Sequence, residues 1–198
     1  SNLAIMWLTF PFLKAFHEFG HAFAVKVKGG EVHEMGIMLL VFTPIPYVDA
    51  SAASAFRNKR ERVVVGAAGM LVEVFFAALA LYLWVNLEPG PVRSVAYNVI
   101  LIAGVSTLLF NGNPLLRYDA YYILSDLIEI PNLGSRGIRY IGYLFQRYLL
   151  GISDADMPPS SAGERIWFVV YTVAAFFYRI FVYASIILFI AGKFFFVG

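Results

Sequence analysis

Three residues early in the chain have the types and spacing to bind and use a metal ion. His17 and His21 are separated by four positions, and in a helix side chains at i and i+4 lie on one face. Two imidazoles on one face can bind a single zinc ion. Glu18 is rotated by about 100° from His17, so its carboxylate can reach a water molecule without being a ligand itself. The pattern predicts a zinc site with Glu18 as general base.

The same side chains could instead form a polar cluster that only helps helices to pack. The stretch that contains them, from about Leu3 to Val27, is otherwise mostly apolar and long enough to enter a membrane. Ionisable side chains are expensive inside a membrane and mark functional sites there. We therefore favour metal binding over simple packing.

A zinc site of this kind needs a third protein ligand. The candidates are His33, Glu31, Glu34, Glu73, Asp119 and Asp126. Asp119 is favoured because it follows Asn113 and Pro114, which should break a helix at membrane depth. Irregular backbone is tolerated there only where it is buried or lines a cavity. The alternative is that Asp119 is a solvated carboxylate or a partner of Arg117.

Two further polar residues have open roles. Glu73 lies inside an apolar stretch, where it could accept a hydrogen bond from a zinc-binding histidine. It could equally form a buried pair with Arg179 or extend towards the membrane surface. His33 is expected to be a structural or cavity residue, because a catalytic zinc keeps one coordination position open.

The composition requires a membrane around most of the chain. Hydrophobic residues make up 60% of the 198 residues and charged residues only 14%, whereas soluble domains have roughly 25% charged residues. The mean hydropathy is +0.73. There are no cysteines, which excludes disulfides and thiolate ligands. We expect the lipid bilayer as a partner and no nucleic acid.

The apolar runs predict a membrane all-α fold, a bundle of about four transmembrane helices. Between Glu31 and Ala50 the chain is apolar, contains prolines and is too short for two spans, so it predicts a small membrane-level β element after the first helix. We expect a single membrane-embedded domain over residues 1–198. Its expected parts are a core at about 3–125, an amphipathic cytoplasmic segment at about 117–165, and a last span at about 166–190.

The basic residues are distributed unequally between the two predicted sides of the membrane. One side would hold Lys26, Lys28, Arg57, Lys59, Arg60, Arg62, Arg117, Arg136, Arg139, Arg147 and Arg165. The other would hold only Arg93 and Lys193. An excess of lysine and arginine marks cytoplasmic loops. The sequence therefore predicts an N-terminus outside and large cytoplasmic loops.

Two motifs together resemble the site-2 protease family of intramembrane zinc metalloproteases. His17-Glu18-Phe19-Gly20-His21 matches its H-E-x-x-H motif, and Asn113-Pro114-Leu115-Leu116-Arg117-Tyr118-Asp119 matches its N-P-x-x-x-x-D motif. The resemblance implies a zinc metalloendopeptidase with His17, His21 and Asp119 as zinc ligands and Glu18 as general base. It also implies that the amide of Asn113 stabilises the reacting carbonyl.

The resemblance also implies a substrate and a setting. The substrate would be a transmembrane or membrane-associated peptide, which pairs with the edge of the strands between Glu31 and Asp49. The chain departs from the family at Ala120, where the family has Gly, and at Glu73, where it often has Asn. With these departures the chain resembles a divergent bacterial branch of peptide zinc metalloproteases, found beside export and membrane-fusion components in the inner membrane.

Two other functions compete with proteolysis. The first is a non-proteolytic zinc-binding membrane module of an export or secretion assembly, which the departures at Ala120 and Glu73 favour. The second is a metal-ion transporter subunit, which would need ligands in series along a path, whereas the sequence offers one cluster.

Overall fold

The computed structural model describes residues 2–40 and 42–195, most of which are helical. They fall into two compact units that divide after Glu129. The first unit includes all of the core predicted at about 3–125, and the expectation of a single domain remains a prediction. The helices are α1 (Asn2–Val27), α2 (Lys59–Asn86), α3 (Pro91–Val105), α4 (Asp119–Leu127), α5 (Leu133–Leu144) and α6 (Ala162–Phe195), and the strands are β1 (Met35–Leu40) and β2 (Thr43–Val48).

Within the described residues, three helical segments are long and apolar enough to cross a membrane. They correspond to the second, third and last predicted spans and extend over Lys59–Asn86, Pro91–Asn111 and Ala162–Gly192. The first predicted span forms α1, a helix of 26 residues that continues through Pro11. Polar side chains such as Lys14, His17 and Glu18 lower its hydropathy, so α1 is not among the three. Length and hydropathy therefore identify three candidate spans among the described residues, whereas the sequence predicted about four.

A two-stranded antiparallel sheet follows α1, as the segment after the first helix predicted. In its register, Met35 is opposite Val48 and Leu40 is opposite Thr43. The backbone N–H of Val48 points away from β1 and donates to Glu18 of α1. Because backbone direction alternates along a strand, Pro44 and Pro46 lie at the same free edge of β2, where their missing N–H groups break no ladder bond.

Helix α2 packs against α1, α3 and α4 in the first unit. Two glycines allow the backbones to approach closely: a Cβ at Gly20 of α1 would lie 2.9 Å from the carbonyl oxygen of Ala68, and a Cβ at Gly66 would lie 2.9 Å from the side chain of Ile123 in α4. Small residues commonly permit such contacts between membrane helices. The three helices α1, α2 and α4 are thereby held around one polar region.

The last turn of α3 widens into a π-helical turn over Ser106–Asn111. The helix ends there, before Gly112, Asn113 and Pro114, as this helix-breaking sequence predicted. The side chains of Ser106 and Asn111 are both buried. π-Helical turns are rare and are often found at functional sites.

The second unit is built on the packing of α5 against α6. Arg136 forms a 2.6 Å ion pair with Glu164 and lies 4.9 Å from the centre of the Phe168 ring. Tyr140 packs on the same ring, with centroids 5.8 Å apart. Further along α6, Arg179 donates to the carbonyl oxygen of Ala175 at 3.1 Å.

Candidate metal centre

The structure brings His17, His21 and Asp119 together into one group of ligands. One potential ligand atom from each residue lies within 4.8 Å of the others, although residue 119 is about a hundred positions further along the chain. Both histidines are buried on one face of α1, and Asp119 is the first residue of α4. This group could hold a metal ion, as the two sequence motifs predicted.

The spacing of the ligand atoms suits a small tetrahedral ion. The Nε2 atoms of His17 and His21 are 3.1 Å apart, and two nitrogens bound at 2.0–2.1 Å to tetrahedral zinc would be separated by about 3.3 Å. The Nε2 of His17 lies 3.0 Å from Oδ2 of Asp119, and that of His21 lies 3.5 Å from Oδ1. The three side chains therefore converge on one point and would supply three of the four ligands of a tetrahedral ion.

Unpaired atoms favour a metal ion over a closed hydrogen-bonded cluster. Oδ2 of Asp119 and Nδ1 of His17 are buried and lack a hydrogen-bond partner of acceptable geometry, even though charged or polar atoms lie close to both. Buried polar atoms are rarely left without a partner. A cation between the imidazoles and the carboxylate would satisfy Oδ2, which makes the donor set fit zinc.

The position of Asp119 also keeps its carboxylate ionised. Burial by itself raises the pKa of Asp119, but the close imidazoles of His17 and His21 outweigh it and hold the pKa well below its usual range. The N-terminal position in α4 adds the favourable end of the helix dipole. The next residue, Ala120, continues the right-handed helix and does not have positive φ. Alanine in place of the family's glycine therefore causes no backbone strain.

The outer nitrogen of His21 is fixed by α2. Its Nδ1 lies 2.7 Å from the carbonyl oxygen of Val65, which can only accept a hydrogen bond. Nδ1 is therefore the protonated nitrogen and Nε2 presents its lone pair to the ligand group. Such a bond orients a metal-binding imidazole and selects its tautomer.

The outer nitrogen of His17 faces Glu73. This carboxylate is fully buried, and its Oε1 lies 3.2 Å from Nδ1 of His17, within hydrogen-bond distance but outside a good angle. The position is the one expected of an acceptor for a metal-binding histidine. Glu73 also pairs with Lys14, whose Nζ lies 2.6 Å from the same Oε1.

Gly69 gives both imidazoles the space that they occupy. A Cβ at this position would lie 2.5 Å from Nε2 of His17 and 2.5 Å from Nε2 of His21. No real Cβ atom can approach a ring nitrogen so closely without displacing it. The surface of α2 therefore forms one wall of the ligand group through its backbone.

Glu18 lies beside the ligand group and is held by β2. Its Oε2 accepts a 3.1 Å hydrogen bond from the N–H of Val48. The carboxylate also interacts electrostatically with His17, His21 and Asp119. One oxygen is thus anchored to the sheet, and a general base needs only the other.

The remaining sequence candidates lie elsewhere. His33, Glu31 and Glu34 are exposed in or beside the loop before β1, and Asp126 pairs with Arg62 at 2.6 Å. Oδ1 of Asn113 accepts a hydrogen bond from the N–H of Leu115, which stabilises the turn after α3. The role of the Asn113 amide towards a reacting carbonyl stays a prediction.

Lys14 is the site residue that sequence reasoning missed. Its signal was present, since it stands one helical turn before His17 on α1 and is an ionisable residue in an apolar stretch. Its partner could not be identified, because Glu73 is fifty-nine positions away on another helix. Sequence reasoning also missed Thr107, whose hydroxyl donates to Oε2 of Glu73 at 2.7 Å, because this contact again joins two different helices.

A large apolar cleft adjoins the site in the first unit. Its volume is about 910 Å³, within the usual range of ligand pockets. It is lined by the first half of α1, by β2 and by the end of α3, and the lining residues include Lys14, Ile45, Asn111 and Tyr118. Of these, Lys14 contacts Glu73, and Tyr118 directly precedes Asp119 in the chain.

The chain was compared with known proteins in three ways. Neither protein-family models, nor curated proteins, nor solved structures gave a match. The assignment of a function therefore rests on the residues of the site and on their geometry.

Proposed function

We propose that this protein is an intramembrane zinc metalloprotease of site-2 protease type. The observation that carries the proposal is the convergence of His17, His21 and Asp119 next to Glu18. A binding site alone would need only the ligands. The carboxylate of Glu18 adds the group that hydrolysis requires, and the ligand group keeps one side open for water and substrate.

Each residue has a distinct task in this proposal. His17, His21 and Asp119 hold the ion, and Glu73 and the Val65 carbonyl orient the two imidazoles. A zinc ion held there supplies a Lewis acid that polarises a carbonyl group and acidifies water. Glu18 takes the proton of the attacking water and passes it to the leaving amine. Asn113 is assigned to the carbonyl oxygen by the motif resemblance.

The substrate in this proposal is an apolar peptide segment within or beside the bilayer. The apolar cleft lies beside the site, along the part of α1 that precedes His17, and its wall includes β2 and the π-helical end of α3. A transmembrane peptide that unwinds near its end could place apolar side chains there. The three apolar helices support a location in a membrane, and we assign it to a bacterial inner membrane.

The proposal is tested by Glu18→Gln, which keeps the size of the side chain and removes the base. Cells that express the wild-type protein or the variant are compared by mass spectrometry of new N-termini in their membrane proteins. We expect a set of termini within apolar segments that falls by at least about 100-fold in Glu18→Gln, since general base catalysis contributes about that much. The zinc content of the two purified proteins should be equal.

The competing function is the non-proteolytic zinc module. It is favoured by one observation, the hydrogen bond that ties the Glu18 carboxylate to Val48. If new termini are identical in wild-type and Glu18→Gln cells while zinc stays bound, the base has no catalytic task and this module becomes the better description.

A further inference from the structure

Lys14 has a place in the site that no sequence motif assigns. Its ammonium lies 2.6 Å from Oε1 of Glu73 and 2.5 Å from the hydroxyl of Ser106. Glu73 is fully buried, and the Lys14 side chain is 15% exposed. Neither charge is shielded by water, so each depends on the other.

The same Oε1 that pairs with Lys14 also faces Nδ1 of His17, at 3.2 Å. A single carboxylate oxygen therefore lies between a fixed cation and the outer nitrogen of a metal ligand. The second oxygen is occupied by Thr107. This leaves Glu73 little freedom to turn, and it keeps Oε1 3.2 Å from Nδ1 of His17, where a small rotation of the imidazole would complete a hydrogen bond.

The π-helical turn of α3 completes the arrangement. Ser106 and Thr107 are its first two residues, and their hydroxyls contact Lys14 and Glu73. The extra residue in a π turn rotates the side chains that follow relative to a regular α-helix. In this chain, the hydroxyls of these two adjacent residues both contact the ion pair between Glu73 of α2 and Lys14 of α1.

The charges of the site also balance only with Lys14. Glu18, Glu73 and Asp119 contribute three carboxylates to one region, of which Glu73 is fully buried and the other two are half-buried. The two imidazoles are neutral when they bind a metal. One divalent ion and the ammonium of Lys14 together neutralise the three carboxylates.

We propose that Lys14 is a positioning residue of the metal centre that acts through Glu73 on His17. Lys14 holds the buried carboxylate in place, and the carboxylate fixes Nδ1 of His17 so that Nε2 faces the ion. Lys14 acts through Glu73 and is not itself a ligand of the ion. The inference rests on the metal centre of the proposed function and does not depend on proteolysis.

The test is a double-mutant cycle on zinc affinity. The full chain is purified in lipid nanodiscs, and its zinc dissociation constant is measured by competition with a chelator. Variants are Lys14→Met, Glu73→Gln and the two combined. We expect each single variant to bind zinc about 10- to 100-fold more weakly, which is the usual effect of losing a group that orients a ligand. In the Glu73→Gln background, Lys14→Met should have no further effect.

Three controls separate positioning from a general loss of stability. Lys14→Arg should restore affinity to within about threefold, because the cation is kept. Arg136→Met breaks an ion pair of equal length in the other unit and should leave affinity unchanged. The visible spectrum of the cobalt-substituted protein should shift in Lys14→Met and stay unchanged in Arg136→Met, since it reports ligand geometry.

Three results would overturn the inference. The first is full additivity, in which Lys14→Met weakens zinc binding equally with and without Glu73. The second is unchanged affinity in a folded Lys14→Met variant. The third applies if that single variant does not fold: the variant with both Lys14→Met and Glu73→Gln removes both charges together, and a zinc affinity equal to wild type in it would reject the role of the pair. If the double-mutant cycle gives the expected zinc affinities but the protein cleaves no peptide, only the protease function is refuted.

Discussion

At the scale of single residues, the metal centre depends on a missing side chain as much as on its ligands. A Cβ at Gly69 would lie 2.5 Å from Nε2 of both histidines, so the imidazoles fit only because this residue has no side chain. A methyl group there cannot be accommodated by a flexible neighbour, because Val65 holds the imidazole of His21 and both rings are buried. The strictest steric requirement of the site therefore lies outside the H-E-x-x-H motif.

We predict that Gly69→Ala weakens zinc binding by at least about 100-fold, because a ligand group must be held within about 0.5 Å of its working geometry. Chelator competition measures the effect. Gly104→Ala is the matched control, since a Cβ at Gly104 meets nothing within 4 Å. Equal zinc affinity in the two alanine variants would show that the ligand group does not have the proposed geometry.

The second prediction concerns Ala120, where the sequence departs from the family motif. Ala120 lies in α4 with ordinary helical backbone, so Ala120→Gly should lower the free energy of unfolding by about 0.5–1 kcal/mol and leave zinc affinity unchanged. Thermal unfolding and zinc competition measure the two effects. A rise in zinc affinity would mean that Ala120 is a defect that the glycine repairs.

At the scale of the elements, the site is assembled where α1, α2 and α4 approach closely. The sequence predicted the ligands because H-E-x-x-H is a local pattern and Asp119 follows a visible helix break. It also predicted the sheet after α1, from the prolines of β2. It could not predict that Lys14 meets Glu73 or that Val48 binds Glu18, because both contacts join distant segments and depend on helix packing.

The third prediction tests the contact of α1 with α2. Gly20→Ala places a Cβ 2.9 Å from the carbonyl oxygen of Ala68, a backbone atom that cannot move alone. We expect a loss of about 1–3 kcal/mol in the free energy of unfolding, as for other overpacked contacts. Gly142→Ala in α5 is the control, since a Cβ there meets nothing within 4 Å. Equal unfolding temperatures would contradict the packing of α1 on α2.

At the scale of the whole molecule, three apolar helices define how the chain relates to a membrane. The exposed side chains of α6 are mainly large and apolar over most of its length, which suits lipid contact. Composition predicted this well because lipid exposure is a property of the average sequence. The transmembrane status of α1 is harder to predict, because its functional residues reduce the very hydropathy that identifies a span.

The fourth prediction concerns orientation. The chain has no cysteine, so single cysteines can be introduced without removing any. Glu88→Cys lies between α2 and α3, on the predicted outer side, and Asp154→Cys lies in the predicted cytoplasmic segment. In intact cells, a membrane-impermeant maleimide should label the first and not the second. Labelling of both, or the reverse pattern, would contradict the orientation that the basic residues predict.

The most direct test of the central claim is the zinc content of the purified chain. It is measured per chain in wild type, in Asp119→Ala and in the double variant His17→Ala with His21→Ala, without chelator during purification. We predict about one zinc in wild type and a sharp loss in both variants, with each still folded. Wild-type protein that binds no zinc after metal is added would contradict the account, because the three ligands would then form only a polar cluster.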